Sequence, residues 1–260
     1  MANIRSPLHI DTKGSFASVE QQANHNTEKQ NSSFSRRRFA VGDIHGCYKT
    51  LRKMVEEVLL LKPEDTLYLM GDYIDRGPDC VGVLDYLMHL RESGFDIQPL
   101  MGNHEEMLLD SIADPIVRRI WYINGGWRTI QQFGVDSPEE IPQRYLDFIT
   151  HLPRILITED YVLVHAGLDF STYHPLQDTS RQFMLWTRDH RVDSVKLAGR
   201  TLITGHTVTP LFEIRKSLST NHINLDNGCY SKGETCYGAL VALDMDNRKL
   251  LVQKNIEQVI

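Results

Sequence analysis

Three glycine-led clusters, Gly42-Asp43-Ile44-His45-Gly46, Gly71-Asp72-Tyr73-Ile74-Asp75-Arg76-Gly77 and Gly102-Asn103-His104-Glu105, each follow a short apolar run. Two more histidines close similar runs, in Val164-His165-Ala166-Gly167 and Thr204-Gly205-His206-Thr207. Any one of these histidines alone would be read as a hydrogen-bonded structural residue; the ordered set is what points to chemistry. Mixed oxygen and imidazole donors suit Mn, Fe, Zn or Ni better than Mg or Ca, which prefer oxygen alone. Asp43, His45, Asp72, Asn103, His165 and His206 together exceed the three or four protein ligands of one open catalytic site. They fit two cations about 3.5–4 Å apart that share a carboxylate. Such a pair would lower the pKa of a water between the ions and neutralise charge growing on a phosphoryl group, as the hydrolysis of a phosphate ester requires.

For these side chains to meet, the segments before them must be neighbouring strands. Phe39-Ala40-Val41, Thr66 to Met70 and Ile97 to Met101 read as buried strands. Between them, Tyr48 to Leu61 and Val81 to Arg91 carry apolar residues at helical spacing, the first ended by Pro63 and the second followed by Gly94. Strand–helix–strand–helix–strand is the pattern of a parallel α/β sheet, whose ligands sit beyond the carboxyl ends of the strands. Asp43 and His45, two apart, can face the same side. The middle of the chain reads as helical over Glu105 to Ile112, Pro115 to Phe133 (with a break at Gly125-Gly126) and Ile141 to Leu152, a cap beside the sheet. Strands then return: Arg154 to Ile157 and Tyr161 to Val164 as a hairpin around Glu159-Asp160, Thr201 to Thr204, Phe212 to Ile214, His222 to Leu225, Ala239 to Leu243, and Leu250 to Gln253. Cys229 to Tyr237, with Gly228, Gly233 and Gly238, reads as a surface hairpin or as a mobile loop at the pocket rim, the hairpin being slightly favoured.

Composition sets the outer limits. The 260 residues accommodate one sizeable domain with a tail: residues 1–36, polar and without sustained periodicity, are expected to be a disordered tail before a catalytic domain over 37–260. A net charge of −6 argues against a general binder of nucleic acid or anionic membranes. No apolar run approaches the roughly 18 residues of a membrane span. Cys47, Cys80, Cys229 and Cys236 form no C-x-x-C pair and read as reduced thiols of a cytoplasmic protein. Ser35-Arg36-Arg37-Arg38-Phe39 mimics a twin-arginine export signal, but a charged cluster follows where an apolar stretch should, so export is not expected.

The ordered motifs Gly-Asp-x-His-Gly, Gly-Asp-x-x-Asp-Arg-Gly, Gly-Asn-His-Glu, His-Ala-Gly and Gly-His-Thr resemble the phosphoprotein-phosphatase type of calcineurin-like metallophosphoesterase. The compact bacterial and phage serine/threonine phosphatases are the most similar, and the resemblance runs from Arg38 to Leu243. It implies an α/β sandwich of two facing mixed sheets, with a dimetal centre at the strand ends. Asp43, His45 and Asp72 would hold one ion; Asp72, Asn103, His165 and His206 the other, with Asp72 as the bridge and Mn²⁺ as the first choice of metal. His104 resembles the general acid for the leaving alkoxide and Asp75 the carboxylate that orients and charges it. Arg76 resembles a phosphate clamp, Asn103 also faces the phosphate, and Arg188, after Trp186, is the candidate second clamp. A hydroxide activated by the ions attacks directly, with no phosphoenzyme. The implied substrate is phosphoserine or phosphothreonine in a protein or peptide. Symmetrical diadenosine tetraphosphate hydrolases resemble the chain at Gly42 to Gly46 and Gly102 to Glu105, but typically lack the carboxylate of Asp75. Its presence favours a poor alkoxide leaving group over a good phosphate one.

Overall fold

The computed structural model describes residues 36–189 and 191–258; apart from Arg36, the expected N-terminal tail lies outside the described residues. Three parallel strands, β1 (Arg38–Val41), β2 (Thr66–Leu69) and β3 (Asp96–Pro99), form half of a five-stranded sheet. Its other half is antiparallel: β8 (Ala239–Asp244) pairs with β1 and β9 (Lys249–Lys254) with β8, giving the order β3-β2-β1-β8-β9. A second sheet has the order β4-β5-β6-β7, built from Ile155–Ile157, Tyr161–Val164, Thr201–Thr204 and His222–Asn224. The β4–β5 hairpin is antiparallel; β5, β6 and β7 run parallel.

Period-two alternation along the strands sorts the core into layers. Ala40, Val241 and Leu243 join Tyr161, Leu163, Ile203 and Ile223 between the two sheets. Their strand neighbours Phe39, Val41, Leu240 and Ala242 point instead toward the helices beside the first sheet. Val162, Val164 and Leu202 point away from the first sheet into a third, smaller cluster. Each such aliphatic side chain removed from water is worth about 1.5–3 kcal/mol, so a one-residue slip in any of these strands would be heavily penalised.

The helices are α1 (Tyr48–Lys53), α2 (Cys80–Glu92), α3 (Asn103–Ala113), α4 (Pro115–Trp121), α5 (Trp127–Phe133) and α6 (Gln143–Thr150). The short α7 (Pro175–Asp178), α8 (Arg181–Trp186) and α9 (Leu211–Ser217) follow. Several boundaries depart from the sequence reading. The first helix does not run to Leu61 as an α-helix: after Lys53 it widens into a π-helical turn over Met54–Val58, with Leu59 N donating to Met54 O at 2.8 Å. The break at Gly125-Gly126 is a second π-helical turn, Tyr122–Gly126. Phe212 to Ile214 is not a strand. Pro210 caps a helix there, turning Ile214 inward and leaving Phe212 exposed, a spacing that three residues could not distinguish from a strand. Cys229 to Tyr237 is a run of turns and not a paired hairpin.

Arg36, Arg37 and Arg38 serve structure here. Arg36 pairs with Asp96, Arg37 with Asp65, and Arg38 bridges Asp246 (2.7 Å) and Asp160 (3.1 Å). Cys47, Cys80 and Cys229 are buried, Cys236 is exposed, and none is in a disulfide. Among the described residues no helix is long and apolar enough to cross a membrane.

Candidate dimetal site

Every predicted site residue except Asp75, Arg76, Asn103, His104 and Arg188 lies within a few residues of a strand's carboxyl end, and the sandwich brings those ends together. Asp43 and His45 follow β1, Asp72 follows β2, His165 follows β5 and His206 follows β6. Asn103 and His104 are not on a strand end as expected. β3 stops at Pro99, and these two residues form the first turn of α3, where Asn103 and His104 are buried. The close approach of the loops depends on glycine. A Cβ at Gly102 would lie 2.2 Å from Asp72 Oδ1, and one at Gly205 would lie 2.0 Å from Asp43 Oδ1. His45, Asp72, Asp75, Arg76 and His206 all have φ between 47° and 70°, a region non-glycine residues rarely occupy. Such strain persists only where the surroundings over-determine the backbone, and it gathers at working sites.

Asp72 is the centre of the cluster. Its Oδ2 lies 3.4 Å from His45 Nε2 and 3.9 Å from His104 Nε2, and its Oδ1 lies 3.4 Å from His165 Nε2. Asn103 Oδ1 sits 2.9 Å from His165 Nε2 and 3.0 Å from His206 Nδ1. Two groups of donor atoms are compact enough for an ion: His45, Asp72 and His104, and Asp72, His165 and His206. Asp72 is common to both. The outer ring nitrogens are spoken for, His45 Nδ1 by Ile74 O at 2.8 Å and His165 Nδ1 by Met70 O at 2.7 Å. A carbonyl in that position fixes the tautomer and leaves the Nε2 lone pair facing inward, as in metal-ligating histidines. Asp43 Oδ1 and His206 Nε2 are buried without a hydrogen-bond partner. Orphaned acceptors of this kind are costly unless something satisfies them, and a cation would. The donor set fits two divalent ions.

Electrostatics point the same way. Burial pushes Asp43 well up, and Asp226 and Asp72 add to the shift. Burial lowers His45, helped by Arg76, lowers His165, and takes His206 down to about 3. Burial thus favours the neutral, ligating form of all three imidazoles, while the Asp72 carboxylate between them favours the charged one. Burial would raise Asp72, but His165, His104 and His45 together hold it below the usual carboxylate range. His104 behaves oppositely: burial lowers its pKa, yet Asp72 and a side-chain bond to Asp75 raise it above the ordinary value. His104 Nδ1 and Asp75 Oδ2 are 2.6 Å apart, both side chains buried.

The chain matches the calcineurin-like phosphoesterase model over residues 37–242. It belongs to that family. It is 35% identical over 162 residues to serine/threonine-protein phosphatase 1 of Salmonella typhimurium, covering 60% of this chain and 70% of that protein. It is 32% identical over 130 residues to the symmetrical bis(5'-nucleosyl)-tetraphosphatase of Nitrosospira multiformis, covering 50% of this chain and 43% of that one. A solved structure of a candidate diadenosine tetraphosphatase shares the fold, with a TM-score of 0.62 at 20% identity over 87% of this chain and 96% of the other. The protein is thus a metallophosphoesterase of a dimetal-dependent family.

In this phosphoesterase Arg76 is turned into the site. Its Nη1 donates to His45 Nε2 at 2.8 Å and its guanidinium stacks on Tyr230 at 4.8 Å. Arg188 is exposed beyond α8, near enough for its charge to depress both His206 and Asp226, and Trp186 beside it lies 6.3 Å from the His206 ring. Sequence reasoning missed Asp226, Tyr230 and the anchoring role of Glu105. Asp226 ends β7 as Asp43 ends β1, so the strand-end rule could have found it; burial raises it to about 6, with Asp72 adding to the rise and Gly228 N, 2.7 Å away, opposing it. Tyr230 lies on the Cys229 to Tyr237 segment and reaches His45, ring centroids 5.1 Å apart, on an irregular run of turns, which fits the rim-loop reading of that segment and not the hairpin.

Proposed function

We propose that this metallophosphoesterase hydrolyses phosphomonoesters, specifically phosphoserine and phosphothreonine in proteins or peptides. The observation that carries this reading is the Asp75–His104 pair. Alkoxide is a poor leaving group and needs a proton as the P–O bond breaks. His104, with Nδ1 held by Asp75 at 2.6 Å, keeps Nε2 toward Asp72 and the centre of the cluster, and its pKa is raised above the ordinary imidazole value, which favours the imidazolium that can donate. A hydrolase releasing a nucleotide phosphate has less need of such an acid.

Asp43, His45 and Asp72 would hold one divalent ion and Asp72, Asn103, His165 and His206 a second, Mn²⁺ being the first choice for this donor set. Bound there, the ions would supply Lewis acidity toward water and phosphoryl oxygens. Arg76 would bind two phosphate oxygens through its planar fork, assisted by Asn103 and by Arg188 from the rim. His104 would pass its Nε2 proton to the departing serine or threonine oxygen. Three buried unlinked thiols favour a reducing compartment, the cytoplasm.

Turnover of a phosphoserine peptide and of diadenosine tetraphosphate, measured with the same Mn²⁺-loaded preparation, tests the reading. The peptide should be preferred in kcat/KM. A roughly hundredfold preference for the dinucleotide would transfer the assignment to symmetrical tetraphosphate hydrolysis.

A further inference from the structure

The helical cap over the sheet does more than cover apolar surface. Asp75 is completely buried, and both of its carboxylate oxygens are claimed. Oδ2 accepts from His104 Nδ1 and, at 2.8 Å, from Trp121 Nε1 at the end of α4. Oδ1 accepts from Thr129 Oγ1 at 2.6 Å, on α5. The same hydroxyl accepts from the Asp75 backbone N–H at 3.1 Å, so Thr129 grips both main chain and side chain of a residue held at φ 70°. Gln132, one turn further on α5, donates to Gly77 O at 2.9 Å and accepts from Cys80 N, fixing the far end of the same loop.

The sequence Asn124-Gly125-Gly126 makes this grip possible. The π-helical turn it forms swings α5 back over the Asp75 loop. Gly126 presses on the Trp121 ring so closely that a Cβ would lie 2.3 Å from it, and Gly125, at φ 112°, abuts Arg76. Trp121 and Thr129 are themselves fully buried.

We propose that Trp121 and Thr129 are positioning residues of the reaction: the cap fixes the rotamer of the Asp75 carboxylate, and through it the aim of the His104 imidazole. This rests on the reading of His104 as the proton donor. A carboxylate with two outside donors cannot rotate, so the His104 ring it binds cannot swing. A displacement of about 1 Å at such a group can cost on the order of 10²-fold in rate.

Thr129→Val removes both hydrogen bonds while keeping the shape; Thr129→Ser restores the hydroxyl; Trp121→Phe deletes the indole N–H together with one ring of the indole, so it also opens a cavity. Steady-state kcat is measured on phenyl phosphate and on p-nitrophenyl phosphate, with bound Mn²⁺ counted in each variant and His104→Asn as reference. A positioning role predicts a loss of about 10–100-fold on phenyl phosphate, whose phenolate leaves poorly, and a several-fold smaller loss on p-nitrophenyl phosphate. Metal content and KM should stay near wild type, and Thr129→Ser should recover most of the rate. Should Thr129→Val not fold, Trp121→Phe carries the same comparison. Equal losses on the two esters, in variants where His104→Asn does discriminate between them, overturn the proposal alone. A His104→Asn enzyme that treats both esters alike overturns the proton-donor reading as well. Wild type active on aryl phosphates but inactive on phosphoserine peptide overturns only the substrate assignment.

Discussion

Glu105→Gln tests whether one buried carboxyl ties the two central loops of the site together. Glu105 Oε2 accepts from Gly102 N at 3.0 Å and Asp72 N at 2.9 Å. Oε1 accepts from Tyr73 N at 2.8 Å and Ile74 N at 3.3 Å. Glutamine has one carbonyl oxygen, so whichever way its amide turns, the NH₂ group faces two backbone donors in a site with no solvent exposure. Each stranded donor costs about 1–3 kcal/mol, so the pair costs about 2–6 kcal/mol. In a domain of this size 1 kcal/mol moves the melting temperature by about 2–4 °C, so a fall of roughly 4–24 °C is expected. Burial and the neighbouring Asp72 raise Glu105 to about 8 while the backbone N–H donors oppose the rise, so the full cost is expected where the carboxyl is ionised and shrinks where it is neutral, since a carboxyl O–H oxygen accepts poorly. Calorimetry of the metal-free protein at pH 9, where Glu105 is ionised, reads the stability term. Mn²⁺ titration reads the consequence for Asp72, which should bind metal more weakly once its loop is loosened. A variant melting within about 2 °C of wild type would refute the reasoning, since none of the ways of placing the amide can satisfy four donors.

Three further outcomes are expected. His104→Asn should keep its metals and lose roughly 10²–10⁴ in kcat; loss of metal, read by elemental analysis, would mean that the imidazole ligates and does not donate a proton. Asp72→Asn removes the carboxylate shared by both donor groups and should lower the metal-to-protein ratio as well as the rate, whereas an unchanged ratio would deny the bridge. Asp226→Asn should raise the melting temperature of metal-free protein at pH 7. Burial holds the folded pKa of Asp226 near 6, above its unfolded value near 3.8, so the native state loses stability as pH climbs through that window. The gain should shrink at pH 4, and its absence at neutral pH would contradict the assigned shift.

The sequence by itself determined which side chains gather around Asp72 and the three parallel strands of the first sheet. Period-two and period-3.6 patterns are local, and a polar residue straight after a buried strand has few other reasons to be there, so Asp43, His45, Asp72, His165 and His206 could be found without a fold. Their roles came from the ordered resemblance of the motifs, not from spacing. Only the tertiary structure decided what lay beyond that. Three residues around Phe212 are too few to tell a strand from the turn of helix that the packing of Ile214 selects. Thr129 and Trp121 lie 54 and 46 positions from Asp75, and hydrogen bonds at that separation leave no periodic trace. Asp226 and Tyr230 become part of the site because β7 is carried to the sheet edge beside β6, a placement set by the burial of Ile223 and Leu225 between the sheets and not by the residues themselves.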